Sequence, residues 1–287
     1  LDEVEEEVEM KLVTFVEGEK AARPGLAVDG GIVDLSAEGF KDALAFIAAP
    51  ASVQTDVAKA KPTIALDAVK LLAPIPAPPR IFGIGVNYAE HALESQTETQ
   101  AVPTVFLVLS SAVVGPDAEV ILPKASAKPD YEAELAVVIG KPGYQIPASA
   151  WEEHVFGYTI VNDVSARDVQ RATTQWSLGK SFPTFAPMGP WVVSKDEVGD
   201  PHVLDISLTI GDEKLQDSNT SMLIFKVPAL IEYISGITPL QVGDIISTGT
   251  PEGVGMGRTP QRWLKPGEEM VIEIEKIGVL KNKTVAE

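Results

Sequence analysis

A β-rich α+β fold is what the sequence predicts, on three observations. Nine short runs after residue 80 carry strand composition, from "RIFGIGV" and "TVFLVL" through "EAELAVVIG" and "VFGYTIVNDV" to "EMVIEIEKIGVL". Helical patterns are few and do not alternate with the strands, which argues against a doubly wound parallel sheet. A segment with four prolines in eight residues, "APIPAPPR", separates a short leading region from the rest. The expected architecture is a mixed barrel or sandwich behind a small N-terminal domain.

Taken in order, residues 1–9, "LDEVEEEVE", hold six acids and no base. They read as an acidic leader or expression remnant ahead of Met10, or equally as a genuine acidic arm. Residues 10–72 form the expected small domain. Its "KLVTFVEG" and "RPGLAVDGGIVDL" are apolar runs split by Gly/Asp turns, a hairpin pattern. Residues 37–60 look helical and are interrupted at Pro50. Residues 73–79 are the linker, and 80–287 the main domain. Within it, helices are expected near 88–96, 147–154, 166–174 and 221–236.

Composition narrows the function classes. With 287 residues, 45% hydrophobic and 22% charged, the chain can bury a large core. No apolar run reaches the roughly 18 residues of a membrane span. No basic-then-apolar opening marks a secretory signal, so cytosol is the default compartment. Cysteine is absent, which excludes disulfides and thiolate metal sites. The net charge of −18 lacks the basic footprint of nucleic-acid binding, and −12 remains without the first nine residues.

The stretch "DYEAELAVVIG" poses the chemical question. Its second half is a buried-strand pattern, yet it opens with Glu132 and Glu134. In a strand, residues i and i+2 face one side, about 7 Å apart. Two like charges beside a core strand are costly unless something positive sits between them. Asp163, after the strand pattern of "GYTIVND", supplies a third carboxylate. Three oxygen donors and no sulfur suit a hard cation, Mg²⁺ or Mn²⁺, with Ca²⁺ a substitute under crystallisation conditions. A pair of surface acids on an edge strand is the commoner meaning of such spacing.

Other segments add to the case. In "GVNYAEHALESQ", His91 and Glu94 stand i, i+3, so one helical turn places them on a common face. A carboxylate beside an imidazole makes a general base. His154 and His202 lack a comparable setting. The polar "SQTETQAVP" that follows has the composition of a lid. Lys180 sits among small and apolar residues in "SLGKSFPTFAPMGP", where a lysine can serve an anionic ligand. The Gly-rich "GDIISTGTPEGVGMG" lacks the lysine of a phosphate loop, and "GIGVN" lacks the third glycine of a dinucleotide fingerprint.

Together, these segments resemble the fumarylacetoacetate hydrolase superfamily. That group includes acylpyruvases, oxaloacetate decarboxylases and 2-hydroxyhepta-2,4-diene-1,7-dioate isomerases. The matching motifs run in order: "GIGVNYAEHALE", "PTVFLVLSSAVVGP", "DYEAELAVVIGK", "GYTIVNDVSARDVQ", "LGKSFPTFAPMGPW", "NTSMLIF", "GDIISTGTPEGVG" and "LKPGEEMVIEIEKIGVLKN". The resemblance implies a β-roll or barrel-like catalytic domain, usually a homodimer, with a divalent metal. By motif position it implies Glu132, Glu134 and Asp163 as metal ligands and His91–Glu94 as a catalytic dyad on a lid. It also implies Lys180 as the active-site lysine, with Arg167, Gln170 and Thr250 on the substrate side.

Two departures stand out. Family members commonly carry Lys where this chain has Val108 and Asp where it has Pro183. Joint loss of a cation and an anion leaves neither unpaired. A less polar wall that includes Val108, and a larger or less anionic substrate, are the consequences expected.

The leading expectation is hydrolysis of a carbon–carbon bond in a β-diketone or acylpyruvate-type acid. His91 would activate water, and metal plus Lys180 would stabilise the enolate. Decarboxylation of a β-keto acid such as oxaloacetate, or keto–enol and double-bond isomerisation, uses the same site without water attack. A metal-bearing, non-catalytic binding protein is the alternative of another class.

Overall fold

The computed structural model of the chain describes residues 10–28, 30–94 and 100–287. The acidic stretch 1–9 and the first part of the expected lid, residues 95–99, lie outside the described residues. The fold is β-rich α+β, as the strand composition predicted, and its sheets are open rather than closed into a barrel.

The largest sheet has twelve strands. Its path runs from Ile64–Ala65 through the N-terminal strands to Lys11–Val16. It continues through Ala186–Ser194, Val155–Asn162, Ala133–Ile139 and Ile245–Ser247 to Ile81–Gly85, and ends at Thr104–Val108. The strand Lys11–Val16 pairs antiparallel with Ala186–Ser194, so one continuous sheet joins residues 10–72 to the rest. The proline-rich segment is packed rather than free-standing. Ala73 and Ile75 are buried in a core, and the Pro74 carbonyl accepts a hydrogen bond from Thr14 Oγ1 at 2.9 Å.

A five-stranded sheet lies against the larger one. It is centred on Asp205–Ile210, Glu269–Ile274 and Gly278–Ala286. The strand Ala133–Ile139 is buried along its whole length, and its side chains alternate between two cores. Leu135, Val137 and Ile139 face the five-stranded sheet. Ala136 and Val138 face the N-terminal strands and helices. This is why its second half reads as an unbroken apolar run rather than an alternation.

The expected helices form, mostly shortened. Residues 37–60 give Ala43–Ile47, capped by Asp42, and Ala51–Ala58, divided at Pro50. The helix expected at 88–96 is described over Ala89–Glu94. The segment 147–154 is a 3-10 helix, Ala148–His154. The one expected at 166–174 is a single turn, Arg167–Gln170, which stops before the β-branched pair Thr173 and Thr174. The last begins six residues later than expected, at Val227. There Pro228, which has no N–H to leave unpaired, sits in the first turn.

Candidate active site

The antiparallel pairing of Ala133–Ile139 with Val155–Asn162 sets Ala133 opposite Asn162. One residue outward on each chain stand Glu132 and Asp163. They are tied by a backbone hydrogen bond from Asp163 N to Glu132 O at 3.0 Å. Asn162 Oδ1 also accepts from Glu132 N. Glu132 therefore lies just before the strand, and Glu134 is its second residue. Their side chains still converge. One oxygen each from Glu132, Glu134 and Asp163 lies within 4.8 Å of the others, and all three residues are buried.

Each carboxylate is held by different partners. Glu132 accepts from Arg167 Nη2 and from Lys180 Nζ, one on each oxygen, both at 2.5 Å. Glu134 Oε2 accepts from Ser247 Oγ at 2.5 Å and from Gly249 N at 3.0 Å. Asp163 Oδ2 accepts from Lys180 Nζ at 2.6 Å. Its Oδ1 is buried and has no hydrogen-bond partner among the described residues. Arg167 spans further, to Asp130 Oδ2 at 2.8 Å and Gln170 Oε1 at 3.0 Å. Asp130 in turn accepts from the backbone N–H groups of Gly255 and Met256.

The electrostatics follow from this packing. Burial alone would raise the Glu132 carboxyl, but the Arg167 and Lys180 cations hold it at about 2. Burial raises Glu134 well above the ordinary carboxylate value, and Asp163 and Glu132 add to the effect. For Asp163, burial outweighs the adjacent Lys180 and brings the group to about 6, with Glu132 contributing. Burial opposes the charged form of Lys180, yet Asp163 and Glu132 keep its pKa above the usual lysine value. With all four carboxyls ionised, Asp130, Glu132, Glu134 and Asp163 against Arg167 and Lys180 leave two negative charges in excess. A divalent cation matches that excess. The donor set is all oxygen, and Asp163 Oδ1 is a buried lone-pair site that lacks a partner among the described residues. The residues present fit a hard divalent cation.

The carboxylates form the floor of a cavity of about 570 Å³. His91, Arg167, Gln170, Lys180 and Thr250 line it as well. His91 Nδ1 lies 3.5 Å from Glu94 Oε2, the i, i+3 contact the spacing predicted. Glu94 is fixed from behind. Both its oxygens accept from Gly253 N at 3.1 Å, and a Cβ on Gly257 would come within 2.1 Å of Glu94 Cδ. Glycine at 257 is what lets that loop close on the dyad. The Thr250 hydroxyl is already engaged, donating to Ala133 O and accepting from Gln216 Nε2.

Two expected features are placed elsewhere. Val108 is buried in the core on the N-terminal side and does not line the cavity. On the same strand, Phe106 does. Pro183 is exposed on the loop after Lys180 and is also off the cavity wall. The departures at these positions therefore carry no information about wall polarity, and the expectation of a less anionic substrate loses its ground. His202 also has a carboxylate beside it, Asp200 at 2.8 Å. Its Nε2, however, accepts from Val227 N at the start of a helix, a structural task away from the cavity.

Several residues of the site went unnoticed in the sequence. Asp130 heads the same "DYEAE" stretch and continues its i, i+2 spacing, but its partner Arg167 is brought to it only by the pairing of Pro129–Asp130 with Ser165–Ala166, which no local pattern reports. Ser247, at the end of the strand Ile245–Ser247, and Gly249, just after it, hold Glu134 from more than a hundred positions away, which no local pattern reports. Phe106 and Trp176 make an aromatic wall, with ring centroids 5.6 Å apart. Lys180 Nζ sits 5.2 Å from the Phe106 ring centroid. Trp176 lies so close to the Ile81–Gly85 strand that a Cβ on Gly85 would meet its ring at 2.2 Å.

Comparison with known proteins identifies the family and the fold. Residues 80–285 match the family described as fumarylacetoacetate (FAA) hydrolase C-terminal. An oxaloacetate tautomerase of Bos taurus, the mitochondrial FAHD2B, is 42% identical over 292 aligned positions, spanning 96% of this chain and 92% of that protein. A crystal structure of a putative HpcE protein from Mycobacterium smegmatis superimposes with a TM-score of 0.89 at 36% identity, covering 96% of this chain and 99% of that one. Maleylpyruvate hydrolase from Sphingobium sp. SYK-6, solved with manganese(II) and pyruvate, gives a TM-score of 0.82 at 31% identity, over 96% and 99% of the two chains.

Proposed function

The chain belongs to the fumarylacetoacetate hydrolase family and is an enzyme of it, and we propose that it interconverts the keto and enol forms of a 2-oxo dicarboxylic acid of the oxaloacetate class. The observation that carries this reading is the 42% identity, over nearly the full length of both chains, to a bovine oxaloacetate tautomerase. The cavity supports it, because His91 with Glu94 shares one chamber with Lys180 and the three carboxylates. A non-catalytic role no longer applies, and tautomerisation moves ahead of the hydrolysis that the motifs alone favoured.

Glu132, Glu134 and Asp163 would hold the divalent ion, Mg²⁺ or Mn²⁺. When bound, it supplies Lewis-acid polarisation of the oxygens of a 2-oxo acid. His91, oriented by Glu94, accepts the proton leaving C3 of the keto form. The C3–H bond breaks, its electron pair forms the C2–C3 double bond, and charge gathers on the C2 oxygen. The Lys180 ammonium stands at the same floor, so its help grows as that charge develops. The proton held by His91 is then passed to the C2 oxygen, which completes the enol and returns His91 to its base form. No water is consumed and no carbon–carbon bond is broken.

The test is to mix freshly dissolved crystalline enol-oxaloacetate with Mn²⁺-loaded protein and follow the loss of enol absorbance, with pyruvate and CO₂ assayed in the same vessel. Accelerated decay of the enol signal without pyruvate is the expected result. Pyruvate and CO₂ formed at the same rate would replace the reading with decarboxylation. The likeness to a maleylpyruvate hydrolase supports a second reading, carbon–carbon bond hydrolysis with His91 activating water. Two carbonyl products from an acylpyruvate, with no effect on oxaloacetate, would place that reading first.

A further inference from the structure

The cavity presents four cationic or potentially cationic side chains: His91, Arg167, Arg171 and Lys180. Internal carboxylates already occupy two of them. Arg167 is held by Asp130 and Glu132, and Lys180 by Glu132 and Asp163. His91 is set against Glu94. Arg171 differs. Among the described residues no carboxylate pairs with it, and its guanidinium makes one weak contact, to Met256 Sδ at 3.5 Å. It is also exposed, whereas Arg167 and Lys180 are buried.

Its place in the chain is fixed all the same. Arg171 N donates to the Arg167 carbonyl at 3.0 Å, closing the turn that also carries Gln170. Met256, beneath its guanidinium, is anchored through its backbone N–H to Asp130 Oδ2. The same buried aspartate thus sets both arginines: the buried one through its side chain, and the exposed one through the loop under it. The floor of the cavity offers oxygen ligands and a committed ammonium. Its rim offers a guanidinium with free donors.

From this polarity we propose that Arg171 is an anion subsite that receives the second, distal carboxylate of the substrate. The inference rests on the reading that the floor takes the 2-oxo acid end. A ligand with one carboxylate would satisfy the floor alone. A dicarboxylate would reach from the floor to the rim, where a guanidinium fork matches a carboxylate in a bidentate manner. The cavity therefore selects 2-oxo dicarboxylates over monocarboxylates of similar size. That selection is made by a residue that takes no part in the proton transfer.

The experiment measures binding, so that it stands apart from turnover. Mn²⁺-loaded protein is titrated calorimetrically with three ligands: 3,3-difluorooxaloacetate, which cannot enolise; its 4-methyl ester, which lacks the distal charge; and oxalate, which carries only the head group. Wild type should bind the diacid more tightly than the ester. Arg171→Gln should weaken the diacid by about 10- to 100-fold, the scale of a lost charge-assisted pair, and leave ester and oxalate unchanged. Arg171→Lys should recover part of the loss, since it restores the charge without the fork. Equal affinity of wild type for diacid and ester would overturn the subsite, and so would equal weakening of all three ligands in Arg171→Gln. Discrimination through Arg171 in a protein inert toward enol-oxaloacetate would sink the tautomerase reading and leave the subsite standing. Tautomerase activity without that discrimination would do the reverse.

Discussion

The floor of the cavity and its rim are built on opposite principles. At the floor, Glu132, Glu134, Asp163, Arg167 and Lys180 are buried and cross-linked, with Asp130 behind them, and nearly every oxygen is engaged. At the rim, Arg171 and residues 173–175 are exposed and make few contacts. A floor fixed in this way holds charge where chemistry needs it, because buried groups cannot relax without breaking partners. A loosely held rim can vary to suit the ligand without disturbing the fold. Chemistry and selectivity are therefore expected to separate by mutation.

The largest effect should come from the floor. Glu132→Ala removes the shared acceptor of two buried cations. It should abolish Mn²⁺ binding and turnover and lower stability by about 3–5 kcal/mol, as for a broken buried pair, read by calorimetry and denaturant titration. Glu134→Gln is the sharper probe. Among the described residues, Glu134 has no cation bonded to it directly and hydrogen-bonds to neutral donors. This variant should lose metal binding and activity while folding normally. Retention of full activity by Glu134→Gln after exhaustive chelation would contradict the account.

Next in size is the dyad. His91→Ala should lower kcat by about 10²-fold or more and leave Mn²⁺ affinity in place, because His91 is not among the converging ligands. A matching loss of metal affinity would move His91 into the ligand set.

A smaller effect concerns pH. Glu134 and Asp163 are raised in the metal-free protein, Asp163 to about 6. A cation entering the site must displace protons from them. Mn²⁺ affinity should therefore strengthen as pH rises through about 6 and weaken below it. The stability of the metal-free protein should run the other way. A carboxyl whose folded pKa lies above its unfolded value stabilises the fold when protonated, and that contribution fades as pH rises through the folded pKa. Affinity independent of pH across this window would contradict the shift.

The smallest effect separates core from site. Val108→Ala should cost about 1–3 kcal/mol of stability, as for lost apolar burial, with kcat/KM unchanged, since Val108 packs away from the cavity. A change in specificity would restore it to the wall.

The same contrast explains what could be read from the sequence. Glu132, Glu134 and Asp163 were visible because carboxylates interrupt an apolar strand pattern, and such interruptions are costly without a partner. His91 and Glu94 were visible because they share one helical turn. Partners that arrive through long-range pairing left no local trace. Ser247 reaches Glu134 only because Ile245–Ser247 pairs with Ala133–Ile139, and Asp130 reaches Arg167 only once the sheet ends meet. The expectation for Val108 and Pro183 came from the family resemblance and not from any pattern in the chain. Phe106 and Val108 share one face of their strand, but only Phe106 reaches the cavity, while Val108, two residues further along, packs in the core. The strands themselves were legible from composition, while their open order was not, since register is set by pairing rather than by any one run.

The most direct test is anomalous diffraction from crystals grown with Mn²⁺. The account predicts one strong peak bonded to oxygens of Glu132, Glu134 and Asp163, with Lys180 and His91 around it. A map with manganese elsewhere, and only solvent between the three carboxylates, would contradict it.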